Sequence, residues 1–306
     1  MLEALRDRRL GRVLGWLVVA LALGFVGARL WQGGAWDLVR PRLGLLLLAT
    51  TGGALLYGLA GFLLSAAWRE ILAAERPPGP AAAYHAVYGR TQIAKYLPGN
   101  CFHFVGRQVL GPALGHSQAA LALASLVEGI LLLAVAASLA LPLALPRFGG
   151  WTLVLPAGAL AALALVSATP GLARVRFQPD GGTYRASRLL RALVLQAAFF
   201  AAAGGVLWLL AALLVAPPAA APGPLTTIGA LALAWAAGFV TPGAAAGVGV
   251  REAVLMVALD GPLGPEASAV VALAFRLVTT AGDGMFCAFA LTLPLPSRPT
   301  TASVSK

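Results

Sequence analysis

Two arginines stand out in a chain that is otherwise mostly Leu, Ala, Val and Gly. Arg107 lies in KYLPGNCFHFVGRQVLGP, residues 95–112, and Arg251 lies in GFVTPGAAAGVGVREAVL, residues 238–255. Each follows a Pro-Gly pair by seven intervening residues: Pro98-Gly99 then Arg107, and Pro242-Gly243 then Arg251. A guanidinium keeps its charge at any relevant pH and presents a planar fork of donors that matches two phosphate oxygens. In the second stretch Gly247 and Gly249 precede a helix opened by Arg251 and Glu252. That arrangement predicts free backbone N–H groups at the positive end of a helix dipole, where phosphates bind. The first stretch offers Lys95, Asn100, His103 and Gln108 around Arg107. The competing reading is structural, with each Arg neutralised by a carboxylate such as Glu252 or Glu128.

Further ionisable residues fall inside apolar runs: Glu128, Arg276 and Asp283, with Thr279 and Thr280 between the last two. Charges at membrane depth are costly and mark functional candidates. Arg276 and Asp283 are seven residues apart and share a helix face, so they are candidate ligands of a head group or candidate partners of each other. Asp283 near a cytoplasmic helix end would be cheap to keep charged. Glu128, His103 and Asp283 are also the residues that could act as acid or base, which keeps an intramembrane lipid-modifying enzyme open. His85, His103 and His116 lack metal spacing, so neither a metal nor a cofactor is expected. Cys101 and Cys287 show no disulfide or metal pattern and read as small buried hydrophobes. Nucleophile-elbow, phosphate-loop, dinucleotide and zinc motifs are all missing from the sequence.

These residues need a scaffold, and composition names its solvent. Of 306 residues, 59% are apolar and 11% charged, and the mean hydropathy is +0.85. A soluble domain carries about 25% charged residues. The net charge of +11 belongs to short segments between apolar runs and not to a basic, aromatic-interleaved face, which excludes a nucleic-acid partner. The chain reads as one all-α polytopic transmembrane domain, 1–306. Six spanning helices are expected at 13–31, 43–66, 118–141, 151–169, 188–215 and 266–292, the first retained and not cleaved as a signal peptide. Arg6, Arg8, Arg9 and Arg12 place the N-terminus in the cytoplasm. Arg69, Arg76 and Arg90 after the second span, and Arg174, Arg176, Arg185, Arg188 and Arg191 after the fourth, agree with that orientation. The uncharged segment 217–225 falls outside, residues 294–306 form a short cytoplasmic tail, and Arg40, Arg42 and Arg147 are the exceptions.

Residues 84–112 and 226–258 remain, one too polar to face lipid and the other broken by TPGAAAGVGVRE. Pro removes a backbone donor and Gly loosens a helix, and the orphaned groups must then lie within protein or beside water. Both segments read as re-entrant or broken-helix elements, with eight full spans as the alternative. The order apolar helix, broken segment, Gly-Pro turn, apolar helix occurs twice, over 10–145 and 150–293. Three spans per half would force the halves into opposite orientations, an inverted repeat of the kind whose site lies between broken helices.

At QIAKYLPGNCFHFVGR, GFVTPGAAAGVGVREAVL and FRLVTTAGD the chain resembles the transmembrane region of the lysylphosphatidylglycerol synthase, or flippase-like, family. The resemblance runs from about residue 10 to 292. It departs at Pro242-Gly243-Ala244, where members often carry a Pro-Gly-Gly run. It implies the lipid-translocating part of such proteins without the aminoacyl transferase domain.

The expected function is therefore a non-enzymatic flippase in the cytoplasmic or inner membrane. Its substrate would be a phosphate-bearing lipid: a phospholipid, its aminoacylated form or a polyprenyl-phosphate carrier. Arg107 and Arg251 would hold the head group and the Pro-Gly breaks would act as hinges. Its expected partner is that anionic lipid; the rival reading is a non-catalytic subunit beside a lipid-modifying enzyme. Oligomeric state is left open.

Overall fold

The computed structural model describes residues 34–97, 101–144, 186–214, 221–242 and 244–295, with single positions 20, 21, 24, 27 and 28 before them. Helices account for nearly all of it: α1 Ala35–Val39, α2 Leu43–Leu72, α3 Ala81–Gln92, α4 Phe102–Leu110 and α5 Gln118–Ala144 are followed by α6 Ala186–Leu214, α7 Pro224–Val240, α8 Val250–Leu263 and α9 Pro265–Thr292. Short 3-10 turns at Ile93–Tyr96 and Ala245–Gly247 cap the chain breaks. Among the described residues there is no strand.

The punctuation is local. The run Pro77-Pro78-Gly79-Pro80 separates α2 from α3. Gly264, at φ 78°, takes a left-handed conformation that a side chain resists, and Pro265 then opens α9. Four stretches are long and apolar enough to cross a membrane: Asp37–Leu72, Gln118–Leu143, Ala186–Leu214 and Pro265–Thr292. The expected spans 13–31 and 151–169, the basic segment 170–185 and the tail beyond 295 lie outside the described residues. With 17 residues, α7 rises about 25 Å at 1.5 Å per residue, short of the ~30 Å hydrocarbon core. Large side chains such as Leu48, Val257 and Leu277 are 71%, 66% and 64% exposed. A water-facing surface would not tolerate so many; a lipid-facing one requires them.

Contact registers fix the helix directions. Gly53 meets Val278, Gly58 meets Gly282 and Gly61 meets Phe286, so α2 and α9 run parallel. By contrast Gly53 also meets Val206, Tyr57 packs edge-on against Phe199 and Glu70 pairs with Arg188, so α2 and α6 run antiparallel. The approach of α2 to α9 depends on glycine: a Cβ on Gly58 would lie 2.9 Å from the Gly282 carbonyl oxygen. Close backbone approach of this kind is how helices associate where lipid removes the hydrophobic drive.

The short helices form two hairpins. Gly89 touches Ala290 and Lys95 pairs with Asp283, so α3 climbs against α9; α4 then returns beside it, with Gly106 against Thr91. On the other side α7 runs against α5 (Phe239 at Gly129, Gly229 at Leu139) and against α6 (Ile228 at Gly204). Its return arm α8 lies along α9, where Glu252 meets Arg276. The first hairpin therefore leans on α9 and the second on α5, α6 and α9, and the turns Ile93–Tyr96 and Ala245–Gly247 touch.

Candidate functional site

The contact between the two hairpin tips is where the buried charges gather. From the first hairpin, Lys95 reaches Asp283 on α9 at 2.7 Å, and Tyr96 Oη donates to the same carboxylate oxygen at 2.7 Å. From the second, Glu252 accepts from the Gly249 backbone N–H at 2.6 Å and faces Arg276 Nε at 3.5 Å. Arg276 Nη1 also donates to the Ala246 carbonyl at 3.2 Å, and its guanidinium lies over the Tyr96 ring. Thus α9 supplies one residue to each tip, Asp283 to the first and Arg276 to the second.

Arg107 lies one layer away and is fully buried. Its guanidinium forms an ion pair with Glu128 on α5, and Tyr88 Oη donates to the other Glu128 oxygen at 2.7 Å. The rings of Trp68, Tyr88 and Phe104 surround it, Tyr88 closest at 3.9 Å. A charge that is paired, hydrogen-bonded and enclosed by aromatic faces is neutralised within the fold.

Arg251 differs. Among the described residues it has no hydrogen bond and no carboxylate partner, its buried Nε atom has no acceptor, and its guanidinium lies 5.8 Å from the centre of the Trp235 ring. Two glycines make room for it. A Cβ on Gly238 would lie 2.6 Å from its Cγ, and one on Gly247 (φ 71°) would lie 2.6 Å from its Nε. Glu252, its neighbour in sequence, points to Arg276 and Gly249 instead. Among the described residues, four cations, Lys95, Arg107, Arg251 and Arg276, and three carboxylates, Glu128, Glu252 and Asp283, stand around the hairpin tips. Arg251 is the cation left over.

Two small cavities flank it. One, of about 20 Å³, lies between Tyr57, Phe275, Arg276 and Thr279; the other, of about 50 Å³, lies between Gln92, Lys95, His103, Arg107 and Glu128. Arg251, Tyr57, Phe199 and Trp235 line both. A water needs ~10–15 Å³ of such space, so these cavities have room for one to a few waters. Beside the second cavity opens an apolar groove of about 480 Å³ facing outward between α4 and α5.

Several expectations are corrected here. Arg276 and Asp283 are not an ion pair, because Asp283 is taken by Lys95 and Tyr96 and Arg276 by Glu252 and the Ala246 carbonyl. Asp283 is buried mid-helix, not placed at a helix end. For Arg107 the structural pairing holds, with Glu128; for Arg251 neither Glu252 nor Glu128 is the partner. Gln108 lines the outer groove and accepts from the Gln118 amide through its backbone carbonyl, away from the polar cavities. The N–H of Gly249, expected to be free, is occupied by Glu252. Cys101 is exposed, not buried. His103 does line the second cavity, with Nδ1 unpartnered. Pro98, Gly99, Asn100 and Gly243 lie outside the described residues; Pro242 is at the exposed turn after α7. Sequence reasoning passed over Tyr57, Tyr88, Gln92, Tyr96, Trp235 and Gly238. The tyrosines carried a signal, a hydroxyl in an apolar helix that must find a partner; Gly238 carried none.

His116 is separate from this cluster, bonded through Nδ1 to Glu75 at 2.7 Å and through Nε2 to Tyr84 at 2.7 Å. Burial holds its imidazole below the usual pKa, against the pull of Glu75. Among the described residues no group of His, Cys, Asp and Glu could hold a metal ion. No protein-family model matches the chain, and no curated protein matches it.

Proposed function

We propose that this protein translocates a phosphate-bearing lipid between membrane leaflets without chemical change, with Arg251 as the residue that holds the phosphate. The observation that carries the reading is the pairing around the hairpin tips: Lys95, Arg107 and Arg276 each have a carboxylate, and among the described residues Arg251 has neither a carboxylate nor a hydrogen-bond partner. A guanidinium held in low dielectric without a counter-ion is unstable to the extent that it is unsolvated, so a monovalent phosphate oxygen pair would satisfy it. The resemblance to the flippase-like family at the three quoted stretches supports the same reading.

Two inverted halves best account for the packing. The corresponding long helices of the halves, α2 and α6, are antiparallel; α3 leans on α9 and α7 on α5; and the tips meet at the charges. With α3–α4 re-entering from one side and α7–α8 from the other, the tips close the path between leaflets, and separating them would enlarge the cavities enough for a head group. The side holding Arg69, Arg76, Arg90, Arg188 and Arg191 would be cytoplasmic under the positive-inside rule, with both termini on that side. Cysteine variants test this: Gly79→Cys should be shielded from a membrane-impermeant thiol reagent in intact cells and Gly223→Cys labelled. Labelling of position 79 alone would invert the topology.

Reconstitution tests the function. Vesicles containing the protein should exchange fluorescent phospholipids between leaflets and leave a matched diacylglycerol ether, which has no phosphate, at the protein-free rate. Equal acceleration of both lipids, or of neither, would contradict the phosphate reading.

A further inference from the structure

We infer that the outward-facing apolar groove between α4 and α5 is the seat of an acyl chain of the transported lipid, and that Gly129 and Phe239 form the threshold between chain and head group. This rests on the phosphate reading of Arg251. The groove of about 480 Å³ is lined by apolar side chains of α4 and α5, among them Val105, Leu126, Ile130 and Leu133. Its inner wall is shared: Phe104, Gly129 and Phe239 line both the groove and the polar cavity that contains Lys95, Arg107 and Arg251. A lipid has this same sequence of surfaces, an apolar chain joined to a charged head.

The threshold is narrow and built from a ring and a missing side chain. Phe239 stacks on Trp235, with ring centroids 4.9 Å apart and planes 13° from parallel, and Trp235 lines both cavities beside Arg251. On the opposite wall a Cβ on Gly129 would already lie 3.3 Å from the tip of the Phe239 ring. A larger residue there would close the passage, and a swing of the stacked pair would widen it. The outer edge is lipid-facing, since Leu126 is 57% and Val105 51% exposed.

A second apolar groove supplies the internal comparison. It lies between α7 and α8, with about 380 Å³ bounded by Leu233, Ala253, Val254, Val257 and Ala258, and shares no residue with either polar cavity. If grooves merely collect bilayer lipid, the two should behave alike. If continuity with the charges matters, the first should retain lipid and the second should not.

The experiment uses the full chain in vesicles with a phospholipid carrying a diazirine at mid-chain, followed by peptide mapping of the photoproducts. Labelling at Leu126, Ile130 and Leu133 should exceed that at Leu233 and Val257 by about tenfold, the excess given by about 1.4 kcal/mol of head-group tethering at Arg251, because bilayer tails are as apolar as either groove. Gly129→Trp should remove this excess and slow lipid exchange. Because that variant can fail to fold, Leu126→Trp, whose side chain starts exposed, should reduce both signals with unchanged thermal stability, and Val257→Trp should change neither. Equal labelling of the two grooves overturns the inference, as does a Leu126→Trp protein that exchanges lipid at the wild-type rate. Crosslinking of Leu126 to residues 151–169 would show the groove covered by the chain itself and also overturn it. Failure of the phosphate reading looks different: exchange would then be insensitive to Arg251→Gln whatever the grooves do.

Discussion

Arg251→Gln is expected to lower lipid exchange by roughly ten- to a hundredfold while the protein stays folded. The magnitude follows from the loss of charged hydrogen bonds to phosphate, about 1.5–3 kcal/mol, at 1.4 kcal/mol per tenfold. Stability should hold because no carboxylate among the described residues depends on this guanidinium. Removing an uncompensated charge from the interior should even raise the unfolding temperature. Arg251→Lys keeps the charge but loses the fork, so its exchange rate should fall between those of wild type and Arg251→Gln. Exchange at the wild-type rate in Arg251→Gln vesicles would reject the role assigned to this residue.

Arg107→Gln should do the opposite, although the same Pro-Gly spacing precedes both arginines. Here the partner is fixed: Glu128 is 2% exposed and takes the guanidinium on one oxygen and Tyr88 on the other. A buried pair is weak evidence for stability by itself, but removing one member leaves the other charged and alone, at about 3–5 kcal/mol. The variant should therefore express poorly and unfold at a clearly lower temperature. Adding Glu128→Gln should restore most of the loss, since two neutral amides beside Tyr88 can bond to each other. Thermal unfolding in detergent of the single and double variants measures this. A single variant as stable as wild type would mean that Glu128 is neutralised in another way.

The contrast between the arginines has a simple origin in the chain. If the proposed halves are aligned at the turns Leu114-Gly115 and Leu263-Gly264, the position of Glu128, 14 residues after Leu114, corresponds to Leu277. Leu277 is 64% exposed and faces outward. In that alignment the proposed second half would keep the cation and have no acid at this position. The sequence contained that asymmetry, but reading it required knowing that Glu128 is what Arg107 meets.

The elements themselves were legible. The long apolar runs became α2, α5, α6 and α9, and the two Pro-Gly segments became broken hairpins, because hydropathy and backbone-breaking residues act locally. Pairings across the interior were not legible. Arg276 and Asp283 share a face on one helix, which invites pairing, yet each finds a nearer partner on a hairpin tip that sequence spacing cannot position. Lys95, expected beside Arg107 as a head-group ligand, does line the same cavity but is buried against Asp283. Gln108 looked like a ligand beside Arg107, but one residue further along α4 rotates it about 100°, out of the cavity and into the groove.

Solid-state NMR tests the assignment of the phosphate most directly. With guanidinium-¹⁵N arginine in the full chain and phospholipid in the bilayer, ³¹P–¹⁵N recoupling reports which guanidinium lies in contact with a lipid phosphorus. Under this assignment a contact signal is expected that disappears in Arg251→Lys and survives in the Arg107→Gln/Glu128→Gln double variant. A signal that persists without Arg251 and vanishes without Arg107 would contradict it.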